Sequence, residues 1–242
     1  MRRLVPCTAL TTLALAATAV AAGPVAKLTV DPNKAGKGSV ATLDINPPRA
    51  GQNPRFITLR VLKGVKLDPR ARAAKCTMAQ ANNDTCPAAS RIGGGVSDVT
   101  VTSNTNAFAP LHVKIDVNLY LMAPLQQGDL AGTVAEFKVR ANGQKGRAFG
   151  RVTKINQGPY GLQTRFGKLD TAVAPPAGTK AHLDHMHLTF GAHRTVTKNG
   201  KPVRYDLITN PKTCDGTWEY QVVIGYATGG NVVHNGSGPC RT

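Results

Sequence analysis

Glutamate is almost missing from this chain: Glu136 and Glu219 are the only two among 242 residues. Aspartate supplies the other acidic side chains, and nothing in their placement points to the two facing carboxyls, about 5–9 Å apart, that glycoside hydrolysis needs. Signatures of nucleophilic catalysis are missing too. No Gly-x-Ser-x-Gly elbow occurs, and Ser90, beside Arg91, reads as a turn-capping residue. Gly93-Gly94-Gly95 lacks the lysine and following helix of a phosphate cradle, so it reads as a bend or bulge. Aromatic residues make up only 5% of the chain, which argues against a sugar-stacking cleft. Trp218, the lone tryptophan, is expected to pack against a disulfide or cover a sheet end. The alternative is a carbohydrate platform shared with Tyr220, two residues along on the same strand face.

What is present begins with a leader. Arg2 and Arg3 precede an uncharged stretch, Leu4 to Val20, and Val20-Ala21-Ala22 supplies small residues just before Gly23-Pro24. That pattern predicts a secretory signal over residues 1–22 and an exported mature chain over 23–242. Cys7 leaves with the signal, and Cys76, Cys86, Cys214 and Cys240 remain. Four cysteines allow three connectivities. The sequence-local choice, Cys76–Cys86 with Cys214–Cys240, is favoured, each bridge stabilising by about 3 kcal/mol in the chain-entropy model. An oxidising compartment and the lack of Cys-x-x-Cys pairs argue against a zinc site built from these thiols.

Acidic residues are outnumbered by basic ones, 13 to 30, for a net charge of +17, or +15 without Arg2 and Arg3. Such a balance favours anionic partners, namely cell-wall polymer or polysaccharide. Nucleic acid fits the charge but not an extracellular or envelope address. The competing reading is that basicity only keeps an exported protein soluble. Arg70, Arg72 and Lys75 form the one basic cluster and are the candidate polyanion contacts.

After the leader, the periodicity is that of strands. Leu111, Val113, Ile115, Val117, Leu119 and Leu121 alternate with His112, Lys114, Asp116, Asn118 and Tyr120 over residues 111–122. About a dozen such segments follow one another at short, even spacing. Asn142-Gly143 predicts a hairpin, and Asn199-Gly200 is expected to join the strands 183–190 and 203–208. The fold class expected is all-β, an antiparallel sandwich with immunoglobulin-like or Greek-key/meander connections. One short helical turn is predicted near 70–82. A single domain is expected, with Pro175-Pro176-Ala177-Gly178 as the best internal boundary.

Three segments carry a resemblance. Gly64-Val-Lys-Leu-Asp-Pro69, Cys76 with Cys86-Pro-Ala-Ala-Ser-Arg-Ile-Gly93, and Asn210-Pro-Lys-Thr-Cys214-Asp-Gly-Thr-Trp218 are similar to a group of uncharacterised exported β-rich proteins of actinobacteria. The resemblance implies a β-rich fold and export. It carries no activity and no catalytic residue.

Histidine is the remaining chemical signal. His182, His185, His187 and His193 fall within twelve residues beside Asp184. On a strand, His185 and His187 share one face and Met186, Leu188 and Phe190 the other, with Asp184 pointing away from the two imidazoles. His185, His187 and, across a turn, His193 are the candidate ligands for zinc or copper, though a catalytic centre needs a third fixed ligand and an open position. The bland alternative is a solvated polar face. The sequence thus favours a secreted, non-enzymatic cell-envelope or extracellular protein without a cofactor. The alternative is a metal-binding protein or metal-dependent hydrolase centred on His182–His193.

Overall fold

The computed structural model describes residues 25–49, 51–105, 107–173, 175 and 177–242, so the predicted signal lies outside the described residues. Among them run β1 (Ala26–Asp31), β2 (Gly38–Ile45), β3 (Pro54–Leu62), β4 (Lys66–Leu67), helix α1 (Met78–Asn82), β5 (Arg91–Ser103), β6 (Leu111–Met122) and β7 (Asp129–Val139). The rest are β8 (Lys145–Gln157), β9 (Tyr160–Gly167), β10 (Thr179–Phe190), β11 (His193–Lys198), β12 (Lys201–Asp206), β13 (Ile208–Thr209), β14 (Thr217–Tyr226) and β15 (Asn231–Pro239). Period-two alternation decides the inner face. In β6, Ile115, Val117, Leu119 and Leu121 are buried while Lys114 and His112 are exposed.

The fold is an all-β antiparallel sandwich. One thirteen-stranded sheet runs β15-β14-β3-β9-β8-β7-β6-β5-β10-β2-β13-β4, with β1 paired to β2. Strands β5 to β9 form the expected meander. Strand β10, which follows the Pro175–Gly178 stretch, lies between β5 and β2, so the chain on either side of that stretch contributes to one sheet. The sheet curls until its end strands approach without closing a barrel. Tyr220 Oη donates to the Ala26 carbonyl at 3.1 Å, and the Arg241 N–H donates to the Asn33 carbonyl at 2.8 Å.

Both disulfides take the sequence-local pairing, with Cα–Cα distances of 5.0 Å for Cys76–Cys86 and 5.9 Å for Cys214–Cys240. The first holds α1 against the outer face of β6 to β8. There Cys76, Ala81, Met122 and Val134 make a small second core, with Tyr120 and Phe149 packed on it. A capping box starts the helix: Gln80 N–H donates to Thr77 Oγ1, and Thr77 N–H donates to Gln80 Oε1. Among the described residues no helix is long and apolar enough to cross a membrane.

One local expectation needs correcting. Asn199 and Gly200, both at positive φ, do turn a hairpin, but it joins β11 to β12 in a separate two-stranded sheet. Within β11 only Val196 is apolar, so no alternation marked it as a strand. Of the bend and the bulge expected at Gly93 to Gly95, the bulge is found, between Arg91 and Gly93, and the three glycines lie inside β5. A Cβ on Gly93 or Gly95 would collide with the Thr189 or His187 carbonyl of β10, so the glycines permit close strand approach.

Candidate functional site

The curled sheet holds two apolar chambers, both partly open to solvent. The first has a volume of about 430 Å³ and is walled by side chains such as Leu43, Leu59, Leu119, Ala135, Leu162 and Leu188. That lies within the roughly 300–1,000 Å³ of small-molecule sites. Its size follows from the residues turned inward, because Ala41 and Ala135 stand where larger side chains would fill the space. Among the buried side-chain oxygens that lack a hydrogen-bond partner, Thr133 Oγ1 is the one in this wall. That oxygen is itself buried out of reach of solvent, so the accessible wall around it is apolar. Lys27, Asn33, Lys66, Trp218 and Glu219 also border it.

The second chamber, of about 290 Å³, lies toward Val99, Val101, Val113, Val139 and Leu183. No ionisable side chain is among its described lining residues. Ile57, Phe137, Leu169 and Met186 belong to the walls of both chambers.

The histidines lie on the outside of the sheet. His187 Nδ1 is 2.6 Å from Asp44 Oδ1, and His185 stands 3.7 Å from Asp44 and 3.6 Å from Asp98. Lys114, hydrogen-bonded to Asp98, holds that carboxyl below the usual range, against an opposing effect of burial. Asp184 does not point away as alternation suggested. A bulge between Leu183 and His185 puts one extra residue on β10, so Asp184 reaches the outer cluster. It accepts from Thr100 Oγ1 at 2.6 Å and lies 3.1 Å from His182 Nε2.

That outer cluster is not built as a nucleophile. The Thr100 hydroxyl sits between Asp184 and His112 Nδ1, 2.9 Å away, and its one proton is committed to the carboxylate. A catalytic hydroxyl instead donates to an imidazole that the acid orients. His193 starts β11 opposite Asp206, in the separate two-stranded sheet, and among the described residues no three His, Cys, Asp or Glu side chains are grouped to hold a metal.

The basic cluster is partly committed. Arg70 pairs with Asp68 at 2.7 Å and covers the Tyr205 ring, while Arg72 donates to the Ala88 and Ala89 carbonyls. Lys75 belongs to neither set of contacts. Trp218 donates to the Thr213 carbonyl, next to Cys214, and borders the first chamber. Tyr220 does share its inward face, but it is buried and leaves no exposed aromatic platform.

Sequence reasoning missed the chambers. The usable signal was small residues at inward strand positions, Ala41 and Ala135, opposite large apolar ones. No protein family, curated protein or solved structure matches the chain.

Proposed function

We propose that this chain is an exported, non-enzymatic binding protein that takes an apolar small molecule into its curled sheet. The observation that carries the reading is the 430 Å³ chamber, walled largely by aliphatic side chains. Burial of apolar ligand surface supplies the affinity, at about 25 cal/mol for each Å² removed from water. Polar residues that border the chamber, Asn33 and Glu219 among them, add orientation, as sparse polar groups do in such sites. The basic exterior has a separate task in this reading: it keeps the protein close to anionic envelope polymers.

Titration with a fluorescent apolar dye tests the proposal. The intact protein binds one equivalent, and Ala135→Trp, which fills the chamber, abolishes the signal. A triple Arg70→Glu, Arg72→Glu, Lys75→Glu variant leaves it unchanged. Dye affinity that follows the surface charges and ignores Ala135→Trp would sink the proposal.

A further inference from the structure

Resting on the reading that the chambers take an apolar ligand, we infer that they take one molecule jointly. That molecule is a long-chain amphiphile whose tail passes between Ile57, Phe137, Leu169 and Met186 from the first chamber into the second. These four side chains border both spaces. They come from β3, β7, the 3-10 turn Leu169–Thr171 and β10. Strands β3 and β10 belong to different stretches of the strand order, separated by β9 to β5, so the partition closes from facing walls.

The partition is made of groups that can yield. Phe137 and Leu169 are only partly buried, and Met186 has an unbranched side chain that adapts to irregular space. None of the four carries a side-chain hydrogen-bonding group, so a methylene chain can displace them without breaking a hydrogen bond. At 290 Å³ the second chamber sits at the lower edge of the usual size for small-molecule sites, and the first is not far above it. Joined, they suit a ligand that is long and narrow.

Charge gives the ligand a direction. Lys27, Lys66 and Glu219 border the first chamber, while the second has no ionisable side chain among its described lining residues. A carboxylate head is therefore held at the first chamber's rim, where two ammonium groups oppose one carboxylate. The tail leads toward the second chamber.

The experiment is a chain-length series, octanoate through palmitate, competing with the fluorescent dye on the intact chain. Affinity rises about fourfold for each fully buried methylene and goes on rising to palmitate. Met186→Phe thickens the partition. It stops the rise at the length that fills the first chamber, so the palmitate-to-octanoate affinity ratio falls. Should circular dichroism show that Met186→Phe does not fold, Phe137→Leu thins the partition and increases the preference for palmitate over octanoate. A plateau at octanoate in the original protein overturns the inference alone, as does a palmitate-to-octanoate ratio that a folded partition variant leaves unmoved. Failure of every acid and of the dye to bind overturns the chamber reading beneath it, a separable result.

Discussion

Strand β7 has two apolar neighbourhoods, one on each side, and they are packed in opposite ways. On its outer side Val134 is completely buried beneath Cys76 and Ala81, which are themselves 1% and 0% exposed. On its inner side Thr133, Ala135 and Phe137 border a chamber of about 430 Å³. Protein interiors are normally close-packed, and each unfilled volume costs stability. A sequence that fills the space under a short disulfide loop yet places alanine against the larger interior has distributed its side-chain volume unevenly. The difference teaches that the chamber follows from which residues face inward, and not from a general looseness of the fold.

The largest effect should come from unfastening the outer side. Cys76→Ser with Cys86→Ser is expected to cost about 3 kcal/mol in urea unfolding, with dye capacity of the chamber retained under native conditions. Loss of the dye site there would show that the two neighbourhoods are coupled. Next comes one substitution made on each side. Ala81→Leu overpacks the outer core and costs about 1–3 kcal/mol, whereas Ala135→Leu enters open space and costs less than about 1 kcal/mol. Equal losses in thermal melts would dissolve the contrast.

The smallest effect concerns Glu136, on the outer side of β7. Burial pushes its carboxyl above the ordinary range, Asp84 adds to the shift, and Arg147 opposes it. The folded protein therefore holds this proton more tightly than the unfolded chain. The contribution is fully present below the unfolded pKa and is lost as pH rises through the folded one. Glu136→Gln should melt slightly higher at neutral pH, with the gain vanishing on acidification. A gain that grows in acid would reverse the assigned sign.

Much of the frame was legible because it rests on local pattern. The six alternating apolar residues of β6, the Asn142-Gly143 turn and the helical turn near Ala81 are short-range effects. The two cross-links were legible for a similar reason, since the cysteines nearest in sequence are the ones that pair. Asp184 was misplaced because a bulge adds one residue to one strand, and the sequence carries no count of its partner. Tyr220 was assigned to the correct face, but its burial depended on β1, nearly two hundred residues away in the chain.

Alternation along most segments was enough to say that this chain makes strands and which side of a regular strand such as β6 is apolar. How far the sheet curls, and hence how much room its inner faces leave, emerged only in three dimensions. Side-chain periodicity is a property of neighbours along the chain. Enclosed volume depends on how side chains from distant strands meet, as Ile57 and Met186 do between the two chambers.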